Sequence, residues 1–378
     1  MSNASYLKNL NIASISDIHL GHNRNVAEDI IRNLDIAFPD NAETAKLDLL
    51  FIVGDVFDTL LFLSRDDVAL IKIWIARLLR RAKKYNITII VIEGTPSHDR
   101  KQSMLFPLIN EISEIGADVR HITELSIVHV DRFGLDILCV PDEWTDSPEK
   151  TFDQVIDLLQ HKGLSKVDFA LMHGSFDYQL HPAAKAPRHS EQQYLSIVKE
   201  YIFIGHIHQH STYKRIIAQG SFDRLAHGEE EPKGHVRLSY DAEGHRRIKF
   251  VENKGAKIFK TINCTGLDIP AILEKVNAVL VNLTPDAFVR IEAEKENPIF
   301  ATFEVLVRHF PLVTWSKLPR DDEDEAEAVN IVTDEEDLFI PITITKDNIL
   351  SLMMSRVVKQ NVPEEVRARC EALLLEAA

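Results

Sequence analysis

Five short apolar runs, each ending in side chains that bind metals or move protons, constrain this chain more than any other feature. In order they read Ile-Ser-Asp17-Ile-His19, Phe-Ile-Val-Gly54-Asp55-Val-Phe-Asp58, Ile-Glu-Gly94-Thr-Pro-Ser97-His98-Asp99, Ala-Leu-Met-His173-Gly174 and Phe-Ile-Gly205-His206-Ile-His208. Runs rich in Val, Ile and Phe that alternate with longer segments of helical period describe an α/β sheet with helices outside. The carboxyl ends of the strands in such a sheet line one crevice, so side chains as remote as Asp17 and His208 can share a pocket. Alternation along a strand points residues i and i+2 the same way, which pairs Asp17 with His19 and His206 with His208. Glycine before Asp55, Thr95 and His206 permits a tight exit from strand to loop.

The donor set narrows the chemistry. Asp17 and Asp55 offer carboxylate oxygens, and His19, His173, His206 and His208 offer imidazoles. This mixture suits manganese, iron or zinc better than magnesium or calcium, which prefer oxygen alone. Six strong donors with Ser97 are too many for one ion and fit two divalent ions sharing a carboxylate, an arrangement that clamps an in-line phosphoryl displacement. The formal charge of −15 opposes a polyanionic substrate at first sight. Asp321 to Asp337 alone holds ten acids and no Lys or Arg, however, leaving −5 for the rest. Two divalent ions would also present positive charge where a phosphodiester arrives.

Length and pattern divide the 378 residues into four parts. Residues 1–255 form the sheet domain, with candidate strands at 11–16, 47–53, 87–93, 167–172 and 201–204 and helices at 24–37, 64–84, 149–161 and 190–199. A hairpin around Asp241-Ala-Glu-Gly244 closes it. Residues 256–319 read as a small α/β cap, 320–337 as an acidic linker and 338–378 as a helical tail with helices at 346–360 and 364–376. Cys139, Cys264 and Cys370 lack paired spacing, so neither a disulfide framework nor a thiolate zinc site is expected. With no apolar stretch near the roughly 20 residues a bilayer requires, and no secretory pattern at the N-terminus, a cytoplasmic protein without membrane contact is expected.

The order D-x-H, GDxxD, GxxxHD, HG, GHxH resembles the calcineurin-like metallophosphoesterase superfamily. Gly220-Ser-Phe-Asp-Arg-Leu-Ala-His-Gly-Glu-Glu-Glu-Pro-Lys-Gly-His-Val236 is similar to the segment after the last motif in SbcD-type DNA double-strand-break nucleases. The resemblance implies a metallophosphoesterase sheet sandwich flanked by helices, a small α/β capping domain and a helical C-terminal tail. It implies a manganese-dependent DNA exonuclease or endonuclease, one subunit of an ATPase-coupled end-processing complex. Asp17, His19 and His208 would bind one ion, His173 and His206 the other, with Asp55 bridging. A hydroxide between the ions would attack phosphorus, and His98 would stabilise the transition state and protonate the departing oxygen. Asp58 or Asp99 would orient His98. The chain departs from the family where Gly-Asn-His-Asp becomes Gly94-Thr-Pro-Ser97-His98-Asp99, with two residues inserted and Ser97 standing for the metal-binding amide.

Other residues carry two readings each. His22, Arg188 and His189 are candidate DNA contacts or loop decoration. Lys72 to Lys84 is an amphipathic basic helix that either packs with a solvated charged face or, by resemblance, contacts DNA or joins a homodimer interface with 101–115. The tail either packs on the cap or docks an SbcC-like coiled-coil ATPase subunit. Two other functions fit: a metallophosphoesterase acting on nucleotides or phosphoproteins, and a non-catalytic scaffold for the ATPase.

Overall fold

The structure, a computed structural model, describes residues 5–142, 147–181 and 183–320. The chain divides into two compact units, Met1–Val329 and Asn330–Ala378, and the described residues all lie in the first. The acidic linker, the two tail helices and the docking segment expected from sequence lie outside the described residues, apart from Arg320.

In chain order the strands are β1 (Asn11–Ile15), β2 (Leu49–Val53), β3 (Thr88–Ile92), β4 (Val119–Ile122), β5 (Ser126–Val130), β6 (Leu135–Val140), β7 (Phe169–His173), β8 (Ile202–Gly205), β9 (Ser211–Tyr213), β10 (Ile216–Ala218), β11 (Gly234–Tyr240), β12 (Arg246–Glu252), β13 (Phe259–Asn263), β14 (Phe288–Glu294) and β15 (Thr314–Arg320). They form two six-stranded mixed sheets, β12-β11-β1-β2-β3-β4 and β5-β6-β7-β8-β10-β9, and a three-stranded parallel sheet, β13-β14-β15. Strands β1 to β4 run parallel, as do β6, β7 and β8, so their carboxyl ends emerge together on each sheet.

Why the strands read as continuous apolar runs is visible in β2. Leu49, Phe51 and Val53 face the second sheet, where Phe51 meets Phe169 and Phe203 with ring centroids 6.5 and 5.6 Å apart. Leu50 and Ile52 face the helices on the other side. A strand buried on both faces has no polar phase, and each such side chain contributes about 1.5–3 kcal/mol. Helix Asp66–Tyr85 covers the first sheet with Ile71, Trp74, Ile75, Leu78 and Leu79, spaced by threes and fours. Its Asp66 and Asp67 suit the positive end of the helix dipole, Lys83 and Lys84 the negative end, and Asn86 in the left-handed region stops it. Helices Pro148–His161 and Glu191–Ile197 cover the outer face of the second sheet.

The sequence reading places no strand between 93 and 167, whereas β4, β5 and β6 lie there. Strand β4, Val-Arg-His-Ile, is only half-buried at every position, so its apolar signal is weak. Strands β5 and β6 pair as a hairpin around Gly134 (φ +60°) and supply the edge of the second sheet. In the cap, helices Ile269–Leu280 and Phe303–His309 pack Ile272, Val276 and Leu306 on Ile262, Val289 and Ile291, and β15 completes the three-stranded sheet. A buried carboxylate ties cap to sandwich: Asp223 accepts from Asn33 Nδ2 (2.9 Å), Asn253 Nδ2 (3.3 Å), and the backbone N–H groups of Arg224 (2.8 Å) and Lys257 (2.6 Å).

Candidate metal centre

The carboxyl ends of β1, β2, β3, β7 and β8 deliver Asp17, His19, Asp55, Thr95, His173, His206 and His208 to one place. Asp17, His19 and His208 bring ligand atoms within 4.8 Å of one another, and so do Asp55, His173 and His206. Asp55 Oδ2 lies 3.2 Å from His173 Nε2 and 3.9 Å from His19 Nε2, so one carboxylate oxygen addresses both groups. A third group contains His19, Asp58 and His98.

The backbone is bent to achieve this. Asp17, His19, Asp55 and His206 all adopt positive φ, at 49°, 53°, 48° and 95°. Non-glycine residues held there cost of order 1–3 kcal/mol each and persist where surrounding structure imposes them. Two glycines permit the approach: a Cβ on Gly54 would sit 2.1 Å from His173 Nδ1, and one on Gly94 2.1 Å from the Asp55 nitrogen.

Hydrogen bonds fix which imidazole nitrogen faces inward. His173 Nδ1 donates to the Val53 carbonyl (2.9 Å), which can only accept, so Nε2 is the nitrogen that faces Asp55. His19 Nδ1 meets the Asp58 carboxylate at 3.1 Å and His208 Nδ1 meets Glu229 Oε1 at 2.8 Å. In their neutral form both Nε2 atoms, 3.2 Å apart, present lone pairs. Asp17 Oδ1 accepts from the His206 backbone N–H (2.9 Å), while Oδ2 is buried with no partner. Buried acceptors facing acceptors are unfavourable unless a proton or cation lies between them. These residues therefore form buried His/Asp groups able to hold divalent metal ions, and the acceptors behind the imidazoles are of the kind that orient metal-bound histidine.

The electrostatics favour a positive charge among these groups: burial would lower the His173 pKa, yet the Asp55 carboxylate raises it to about 10. Burial alone would raise the Asp55 pKa, but the adjacent His173 outweighs it and holds the carboxyl far below the usual range. Burial would lower the His208 pKa, yet the Glu229 carboxylate raises it. Glu229 itself, for which burial is the opposing effect, is held down to about 2 by His208 and Lys233.

The remaining candidates divide. His98 Nδ1 donates to the Asp58 backbone carbonyl at 2.8 Å, leaving Nε2 available, and the His98 ring sits edge-on to His19 with centroids 5.0 Å apart. Neither carboxylate expected to orient His98 does so. Asp58 turns its side chain to His19, and Asp99 accepts from Phe57 N (2.9 Å) and Gly94 N (2.7 Å). Burial, then the Asp55 and Glu93 charges, pushes the Asp99 pKa well up, so it braces the loop instead. Ser97 uses its carbonyl to accept from Arg100 Nε (2.9 Å), and the hydroxyl among the donors belongs to Thr95. His22 Nδ1 accepts from Arg24 N and Asn25 N (3.3 and 3.1 Å) beside the centre. Arg188 bonds the Ala184 carbonyl, and His189 packs edge-on to Phe176 and Tyr194, where burial lowers its pKa to about 4. In the basic helix Arg77 and Arg81 pair with Asp35 and Lys84 with Asp40, so these cations brace neighbouring chain.

Sequence reasoning does not reach the roles of Thr95, Glu229 and Lys233. Lys233, 1% exposed, donates to the His208 carbonyl (2.9 Å) and sits 3.1 Å from Glu229, which completes the cradle behind His208. The available signal is the acid-rich stretch Glu229-Glu-Glu-Pro-Lys233, which by itself reads as a solvated loop.

No protein-family model and no curated protein matches the sequence. Two solved structures align with 64% of this chain and 98% of their own: TT1561 of Thermus thermophilus, at 10% identity and TM-score 0.37, and another crystal structure at 11% identity and TM-score 0.39. Among the described residues, no helix is long and apolar enough to cross a membrane.

Proposed function

We propose that the chain is a metallophosphoesterase of the calcineurin-like type, acting as a manganese-dependent DNA nuclease in the manner of an SbcD-type subunit. The observation that carries this reading is Asp55 Oδ2 within reach of two His/Asp groups, 3.2 Å from His173 Nε2 and 3.9 Å from His19 Nε2. Asp17, His19 and His208 would hold one divalent ion, and Asp55, His173 and His206 would hold the other. Bound there, the ions supply an activated water at neutral pH and neutralise charge on the phosphoryl group. The mixed nitrogen and oxygen donors suit manganese, iron or zinc, and the choice of manganese among them rests on the sequence resemblance.

The protein's own groups do the rest. Nδ1 of His98 is pinned by the Asp58 carbonyl, so the proton it can pass to a leaving oxygen resides on Nε2. The Nδ1 partners Val53, Asp58 and Glu229 keep three ligand imidazoles in the tautomer that binds metal. A homodimer is supported by apolar side chains exposed on two helices that pack together, Asp66–Tyr85 and Leu105–Ile112: Ile73 is 52% and Ile112 69% exposed. The ATPase partner and the cytoplasmic setting rest on the sequence resemblance alone.

The test is manganese-dependent hydrolysis of linear duplex DNA beside a small phosphodiester such as bis(p-nitrophenyl) phosphate. Degradation of duplex DNA is expected. Hydrolysis of only the small ester would leave a phosphoesterase for nucleotides or phosphoproteins, and no hydrolysis of either would leave the scaffold.

A further inference from the structure

We propose that the Thr95 hydroxyl is a metal ligand, completing the site of Asp55, His173 and His206 where the resembled family uses an amide. The proposal rests on the two-ion reading above. Thr95 Oγ1 lies 3.2 Å from Asp55 Oδ2, 3.4 Å from His173 Nε2 and 3.4 Å from His206 Nδ1, and Asp55 Oδ2 lies 3.2 Å from His173 Nε2. A contact of 3.4 Å is long for a hydrogen bond between these atoms. It is, however, compatible with two ligands sharing one divalent ion, a separation of roughly 3.3–3.4 Å for tetrahedral bonds of about 2.0–2.1 Å such as zinc makes. The hydroxyl therefore stands off three donors at once by the spacing that a shared ion sets.

The loop holds Thr95 in that position. Its backbone N–H donates to Asp55 Oδ1 at 2.6 Å, and its carbonyl accepts from His98 N (2.9 Å) and Asp99 N (3.0 Å). Asp99 in turn clasps Gly94 N, and Gly94 has no room for a side chain. Thr95 is β-branched and directed by a stiff χ1.

This placement re-reads the two-residue insertion. Aligning back from His98 assigns the amide's role to Ser97. Aligning forward from Gly94 assigns it to Thr95, the residue directly after the glycine, as the asparagine is in Gly-Asn-His-Asp. The geometry favours the forward alignment: Pro96 and Ser97 are the extra residues, bulged between the ligand and His98. One neutral hydroxyl oxygen replaces an amide carbonyl, so an ion at this site would bind more weakly than one held through the amide.

The experiment counts manganese by isothermal titration and by elemental analysis after dialysis at fixed free manganese. It uses the full-length protein and Thr95→Val, Thr95→Ser and Ser97→Ala variants, with folding verified by thermal melts in chelator. Two ions per wild-type chain are expected. Thr95→Val should weaken one of them by at least about tenfold and leave the other, while Thr95→Ser stays within about threefold. Ser97→Ala should match wild type. Unchanged stoichiometry and affinity in Thr95→Val, or loss of an ion in Ser97→Ala, overturns the assignment of Thr95 while leaving the two-ion reading intact. Fewer than two ions in the wild type overturns both. Should Thr95→Val not fold, Thr95→Ala replaces it with the same expected outcome.

Discussion

Asp223 and Asp55 are both nearly inaccessible carboxylates of the same sandwich, yet their surroundings are opposite. Asp223 receives four N–H donors from Asn33, Asn253, Arg224 and Lys257, and the need of both its oxygens is met by protein. Asp55 receives Thr95 N on Oδ1, while Oδ2 faces the imidazole nitrogens of His173 and His19, which can share it with a proton or a metal ion. The lesson is that burial of a charged group does not distinguish structure from function. What distinguishes them is whether the protein itself supplies the complementary charge or hydrogen.

The contrast breaks most visibly at Asp55. Asp55→Asn should lower manganese-dependent hydrolysis by about three orders of magnitude or more, and abolish the rise in Tm on adding manganese. Retention of both would place Asp55 among the structural carboxylates. Conversely, Asp223→Ala removes four hydrogen bonds and leaves buried donors unpaired. It should cost about 2–4 kcal/mol in denaturant unfolding, equally with manganese or with chelator, and a loss confined to the manganese-bound protein would overturn the distinction.

Glu229 sharpens the boundary, because it is structural in its bonds but faces a ligand. Glu229→Ala should weaken manganese binding about 10- to 100-fold, with a smaller effect on the melting of the metal-free protein. Equal titration curves for variant and wild type would reduce Glu229 to a loop brace.

The smallest effect belongs to His235 on β11, which accepts from Arg237 Nε at 2.9 Å and must stay neutral to do so. Burial, then Arg237 and Lys249, lowers its pKa to about 3. In the unfolded chain it titrates near 6.5, so below that pH the unfolded state gains a proton that the folded state refuses. Its stabilising contribution is complete above about pH 6.5 and is lost as pH falls toward 3. His235→Gln should flatten the slope of Tm between about pH 4 and 6.5; an unchanged slope would assign acid lability to other groups.

Much of the fold is already present in the one-dimensional pattern. Strand and helix positions from 11 to 93 follow from apolar period, because strands buried on both faces leave an unbroken run and helices a threefold-and-fourfold spacing. The half-buried β4 and the short β9 and β10 escape for the converse reason. At the centre, residue types and order name Asp17, His19, Asp55, His173, His206 and His208, since few sequences place such donors after apolar strands.

Sequence does not decide which neighbour does what across a loop. Whether Asp58 or Asp99 turns to His98, and whether Thr95 or Ser97 turns to Asp55, depends on backbone angles and hydrogen bonds closed between separate strands. The side chain of Asp58 is taken by His19 and that of Asp99 by two backbone amides. Composition and spacing determine which groups reach the crevice; only the folded backbone, with its positive-φ turns and competing acceptors, determines where each one points.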